Sequence, residues 1–229
     1  MNIKNIKQHP FRMRPQGLYD PRFEHDACGV GMVCHLKGRK SHRVISDGLE
    51  ILVNLTHRGA CGCDETTGDG AGILIQMPHD FMCKAAAAAS ITLPNEKQYA
   101  SGLVFLPTDN TQQKVCMERF EEIAQQEGQP FLGWRKVPVN SDALGELASQ
   151  LEPAIYQVFI GRDPAIEDTA AYERKLFVIR KVIEGFVRES NLSQAAFFHI
   201  PSLSCRTLVY KGMLLADQIE PFYLDLTDP

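Results

Sequence analysis

The stretch "CGVGMVCHL" alternates two sets of positions. Val30, Met32, Cys34 and Leu36 share one face, and Gly29, Gly31, Val33 and His35 share the other. A period of two predicts a strand, with Cys34 packed on its apolar face. Glycines inside a strand mark the close approach of a ligand or another backbone. In "SHRVISDGLEILVNLTH" the period lengthens. Val44, Ile45, Gly48, Ile51, Leu52 and Leu55 fall on one helical stripe, with Ser41 placed to cap it. "HRGACGCDETTGDGAG" has no period and is dense in glycine, so it predicts a loop.

Beyond that loop, helices and strands alternate. "GILIQM", "YASGLVFLP", "PFLGWRKVPV" and "AIYQVFIGR" predict strands. "HDFMCKAAAAAS", "TQQKVCMERFEEIAQQEG" and "SDALGELASQL" predict helices, the second stopped by its glycine. Residues 168–189 carry the clearest helical stripe, through Tyr172, Leu176, Ile179, Ile183 and Phe186. Two strands, "AAFFHIP" and "SCRTLVYK", then a short helix near "MLLADQI" and an irregular tail close the pattern. The expectation is a mixed α and β domain with helices on more than one sheet face.

Composition narrows the classes. At 229 residues, the chain is long enough for one large domain or two small ones, and it can bury a core without staples. A net charge of -4 argues against a general nucleic-acid binder. Residues 1–43 nevertheless hold nine Lys or Arg against three Asp or Glu, and read as a solvated leader. No apolar run approaches the ~20 residues of a membrane span, and the start is too polar for a signal peptide. Seven cysteines, an odd number without a secretion signal, fit reduced thiols in the cytoplasm.

Three kinds of chemistry compete for the cysteine- and glycine-rich segments. Cys61 and Cys63, four residues past His57, could begin a zinc site, but no second close pair completes a tetrahedron. "TGDGAG" lacks the lysine and hydroxyl of a phosphate loop, and a tight turn explains it better. The third option is a nucleophilic cysteine, against the plain alternative of a small buried hydrophobe.

"GLYDPRFEHDACGVG" (17–31), followed by "LTHRGACGCDETTGDGAGI" (55–73), closely resembles the class II glutamine amidotransferase domain that opens the large chain of glutamate synthases. "SLSCRTLVYKGMLLADQIEPFYLDL" resembles a later part of the same domain. The resemblance implies an α+β fold, an Ntn-hydrolase-like four-layer αββα sandwich. It implies a propeptide at residues 1–27 and the amidotransferase domain over 28–229. Cys28 would be the nucleophile, freed as a new N-terminus, with its own α-amino group as base. The reference pKa values, ~7.7 for the amine and ~8.5 for the thiol, are close enough for proton transfer. Arg58 and Gly59 would lie beside the nucleophile. "GDGAG" would form a shaped turn, with no catalytic role for Asp69. His25, His57 and His199 would not be needed as bases, and Cys61 and Cys63 would need no metal.

The substrate implied is L-glutamine. The partner implied is the remainder of the large chain or a complementing polypeptide, with no nucleic acid and no membrane. FMN and an iron–sulfur cluster would belong to other parts of the parent enzyme and not to these residues. The resemblance also predicts motifs that are missing before Pro229: an arginine in a His-Ser-Arg-Phe-like run, an Asp for the substrate amino group, and the Asn-Gly pair of an oxyanion hole. No Asn-Gly dipeptide occurs in the chain. The expected sandwich is therefore incomplete. The three readings are a glutaminase portion that works when completed by more chain, a non-catalytic fragment or assembly or binding module, and an unrelated thiol protein binding metal through Cys61 and Cys63.

Overall fold

Alternate residues of the buried run Tyr99–Leu106 enter two different cores. Tyr99 and Leu103 join one, with Phe105 packed against it; Ala100, Val104 and Leu106 join the other. This strand lies between two layers, which is why its sequence reads as nearly continuous apolar rather than alternating. The computed structural model describes residues 29–58 and 66–228.

The elements are α1 (His42–Asn54), β1 (Ala71–Gln76), α2 (His79–Ala88), β2 (Tyr99–Leu106), α3 (Asn110–Gln126), β3 (Phe131–Lys136), α4 (Glu146–Gln150), β4 (Ala154–Gly161), α5 (Thr169–Glu189), β5 (Thr207–Gly212) and α6 (Ile219–Phe222). They build two antiparallel sheets, β1–β5 and β2–β4–β3. In the first, Gln76 pairs Thr207 and Ala71 pairs Gly212. In the second, Tyr99 pairs Gly161 and Leu106 pairs Ala154.

Ile75, Leu208 and Tyr210 of the first sheet share a core with Leu103, Ile155 and Phe159 of the second. On the far side, Val104, Val158 and Ile160 pack against Phe120 of α3 and Leu176, Ile179 and Ile183 of α5. The order is sheet, sheet, helices. The opposite face of β1 carries Leu74, which is 64% exposed.

The helix ends follow local chemistry. The Asp109 carboxylate accepts from the Gln112 N–H at 2.9 Å and starts α3. Asp168 does the same for α5, accepting from Ala170 and Ala171. These bonds favour the charged form, so the Asp168 carboxyl is held below its ordinary range. Ser41 has the extended backbone of a cap before α1, but its side chain makes no capping bond.

The structure corrects several expectations. Residues 29–35 form no strand. Val30, Met32 and Leu36 are 91, 87 and 98% exposed, and Cys34 is exposed rather than packed. Alternation places side chains on faces but supplies no partner for the backbone groups, and this segment has no ladder among the described residues. Of "AAFFHIP", Ala195–Phe197 is a 3₁₀ turn, and His199 makes only an isolated bridge with Phe105. The tail is not irregular: α6 and a 3₁₀ turn, Leu224–Thr227, tuck Phe222, Tyr223 and Leu226 into the core. On α5 the last inward position is Val187, with Phe186 half-exposed.

Two buried thiols give a pH-dependent expectation. Burial pushes Cys116 up to about 11 and Cys205 up to about 12, the latter helped by the Glu173 carboxylate 3.0 Å from its Sγ. A raised folded-state value means stability present below the unfolded value of 9.0 and lost as pH climbs toward the folded values. The urea midpoint is expected to fall between pH 9 and 11, with a shallower slope in a Cys116→Ala, Cys205→Ala variant. Identical slopes would show that the thiols do not contribute.

Candidate functional site

A cleft of about 1320 Å³ opens between the segment 29–40, helix α1, strand β1 and the start of α2. Gly29, the residue after Cys28, lines it. Gly31 lies so close to α1 that an added Cβ would come within 2.2 Å of Ile51 Cγ2. The glycine therefore marks a close approach, to a helix side chain rather than to another strand.

The turn that ends this segment is built by His35, whose Nδ1 accepts from the Lys37 N–H at 3.2 Å. Lys40 then pairs with Glu96 across the cleft rim, and this bond holds the Glu96 carboxyl below its ordinary range. His42 Nε2 lies 2.8 Å from the Leu226 carbonyl, tying α1 to the tail.

Two polar groups from the inter-sheet core reach the cleft wall, Asp225 and Tyr210. Asp225 accepts two bonds from Arg135, at 2.7 and 2.8 Å, and a third from the Tyr210 hydroxyl at 3.3 Å. Arg135 also donates to Gln157 Oε1 at 3.0 Å. Burial works against the Arg135 charge, but the Asp225 bonds outweigh it and hold the guanidinium more firmly protonated. Burial and the same carboxylate push the Tyr210 phenol well up. The cleft therefore has a fixed charge pair behind its wall and a hydroxyl that stays protonated.

Of the predicted site residues, Cys28 and Gly59 lie outside the described residues, as do Cys61, Cys63 and His25. Arg58 ends the 3₁₀ turn Thr56–Arg58 that follows α1; its side chain is not among those described. His57, in the same turn, places Nδ1 3.0 Å from the Asn54 carbonyl. His199 lines a separate cavity of about 380 Å³, and burial pushes its imidazole down.

Thr66 and Gly68, which precede β1, are held in place. Gln218 Nε2 donates to the Thr66 carbonyl at 2.9 Å. Gly68 is pressed against the backbone, where a Cβ would sit 2.3 Å from the Leu214 carbonyl oxygen. Of "GDGAG", Gly68–Gly70 turn the chain, with Gly70 at φ +140°, and Ala71 and Gly72 already belong to β1. Gly68→Ala is expected to cost about 1–3 kcal/mol through forced backbone displacement, read as a lowered urea midpoint. An unchanged midpoint would mean the turn yields freely. Sequence reasoning missed Asp225, Arg135 and Tyr210 because nothing local links positions so far apart.

Among the described residues no three His, Cys, Asp or Glu side chains gather to hold a metal.

Residues 28–229 match the class-II glutamine amidotransferases, and the chain belongs to that family. Its relatives are glutamate synthases. It is 43% identical over 215 residues to the large chain of the NADPH glutamate synthase of Bacillus subtilis, covering 94% of this chain and 14% of that protein. It is 38% identical to the NADH glutamate synthase of Schizosaccharomyces pombe, covering 94% of this chain and 10% of that one. It is also 38% identical to the ferredoxin-dependent glutamate synthase 1 of Arabidopsis thaliana, covering 95% and 13%. The chain therefore spans only about an eighth of the length of these relatives. No helix among the described residues is long and apolar enough to cross a membrane.

Proposed function

We propose that this chain is the glutaminase portion of a glutamate synthase. The observation that carries the reading is the family match, which begins on Cys28, together with Gly29 lining the cleft beside α1 and β1. Cys28, freed by removal of residues 1–27, gives up its thiol proton to its own α-amino group. The thiolate attacks the side-chain amide carbon of L-glutamine. The C–N bond breaks, the departing nitrogen takes the proton and leaves as ammonia, and a γ-glutamyl thioester remains. Water hydrolyses the thioester to glutamate and restores the thiol. Before cleavage the Cys28 nitrogen is an amide without basicity, so processing switches the activity on.

Arg58 and Gly59 stand beside the nucleophile and orient groups near its amine. The two stacked sheets backed by α3 and α5 support an Ntn-hydrolase-like αββα sandwich as the fold of this domain. Ammonia passes to a synthase elsewhere in the parent polypeptide, in the cytoplasm. FMN and an iron–sulfur cluster belong to that part, and no step here runs through either.

Intact mass after incubation with a diazo-ketone glutamine analogue tests the reading in the protein carrying this chain. The expected result is loss of the mass of residues 1–27 and one adduct, mapped to Cys28. An uncut, unlabelled chain overturns it.

A further inference from the structure

Strand β5 serves two openings. Tyr210 lines the cleft, and its neighbour Lys211 lines the separate cavity of about 380 Å³. Successive side chains of a strand point to opposite faces, so the cavity lies across β5 from the proposed glutamine site. Its walls include Phe105 of β2, Ile155 of β4, Leu214 just after β5 and Phe222 of α6. The volume falls at the lower end of the roughly 300–1,000 Å³ of small-molecule sites.

Two polar groups stand in this apolar wall without partners. The first is the His199 ring. The His199 backbone is fixed, since its N–H donates to the Phe105 carbonyl at 3.1 Å and its carbonyl accepts from the Phe105 N–H at 2.8 Å. Its Nε2 is buried and has no hydrogen-bond partner among the described residues. A buried polar atom in that state has given up its hydration without a replacement bond. The second is Lys211. Its backbone is held opposite Gly72 of β1, and the Tyr223 hydroxyl donates to its carbonyl at 2.8 Å. The Lys211 ammonium makes no ion pair or hydrogen bond among the described residues.

We infer that this cavity binds a small carboxylic acid with an apolar body, its carboxylate held between the Lys211 ammonium and the His199 Nε2–H. Burial, and after it the Lys211 charge, push the imidazole down. The ring is therefore neutral near pH 7, and one of its nitrogens carries a hydrogen to donate. A carboxylate satisfies both groups at once, and bonds to a charged partner are the stronger kind. A neutral ligand would leave the ammonium unpaired, and a cation would be repelled by it. The acid in the wall, Glu152, is already engaged, its Oε1 accepting from the Ser141 hydroxyl at 3.0 Å. Glutamine would press its amide against the aromatic wall, so this site is not a second copy of the proposed one. The inference does not depend on the chemistry at Cys28.

Three probes of nearly one shape test it in the protein carrying this chain: phenylacetate, neutral phenylacetamide and cationic 2-phenylethylamine. Isothermal titration at pH 7 gives Kd for each. Phenylacetate is expected to bind below about 1 mM and at least about tenfold tighter than the amide, from its charge-assisted bonds, with the amine weakest. Lys211→Met is expected to bring phenylacetate down to the level of the amide and leave the amide unchanged. His199→Phe is expected to weaken both, since Nε2–H serves either oxygen.

No phenylacetate binding by about 5 mM, a Kd equal to that of the amide, tighter binding of the amine, or undiminished binding in Lys211→Met overturns the inference. The urea midpoint of each variant checks its fold. Should His199→Phe not fold, Lys211→Met decides, because its side chain makes no bond for the fold to lose.

Discussion

Replacing Cys28 with alanine is expected to remove glutamine hydrolysis in the protein carrying this chain, by on the order of 10⁶ in kcat, the scale seen when a covalent hydrolase loses its nucleophile. No γ-glutamyl thioester can form without the sulfur, so ammonia is not released and no analogue adduct appears. Cys28→Ser keeps the size of the side chain and separates chemistry from packing. A hydroxyl is a far weaker nucleophile than a thiolate and presents a smaller atom at a site spaced for sulfur, so the serine variant is expected to lose most of the rate. Cys34→Ala is expected to leave the rate unchanged, since Cys34 is exposed in a segment without a sheet partner among the described residues. Measuring glutamate release from glutamine in the three variants checks this. A loss in Cys34→Ala equal to that in Cys28→Ala, or an active Cys28→Ala, would move the nucleophile elsewhere.

Asp225→Ala is expected to destabilise the fold by about 3–5 kcal/mol, the usual cost of leaving one member of a buried ion pair without its partner. Arg135 and Asp225 side chains are 11 and 2% exposed, and their bond is two-pronged. Removing the carboxylate leaves the guanidinium with Gln157 as its remaining bonding partner among the described contacts. It also deprives the Tyr210 hydroxyl of an acceptor inside the core. Against a typical total of 5–15 kcal/mol, that is a large share. The converse experiment sharpens the point. Arg135→Met with Asp225→Leu removes both charges and should recover much of the loss, because an apolar pair of similar volume carries no desolvation penalty. Urea unfolding of the two variants decides it. A single-variant cost under about 1 kcal/mol would mean water reaches the pair.

The parts of the fold legible in the sequence are those specified by near neighbours. Helix α5 was readable because Tyr172, Leu176, Ile179 and Ile183 repeat at helical spacing, and all four are buried. Strands β1 to β4 were readable from short apolar runs between turn residues. The segment 29–35 was misread because its alternation is real but a strand also needs a partner, which lies beyond any local window. The tail was misread for a related reason: short turns such as Leu224–Thr227 are fixed by what they pack against. Cys28, Arg58 and Gly59 came from motif resemblance alone. An α-amino base has no side chain to space, so no pattern of residues betrays it. The Arg135–Asp225 pair has no local signal at all.

The pairing of β1 with β5 bears on how the chain is made. Gln76 finds its partner in Thr207. At roughly 5–20 residues per second on the ribosome, β1 emerges about 7–26 seconds before β5. During that interval the apolar strand "AGILIQ" has no ladder to join among the described residues. The nascent chain is therefore most open to chaperone capture, and to pairing with a neighbouring nascent chain, before Thr207–Gly212 has emerged.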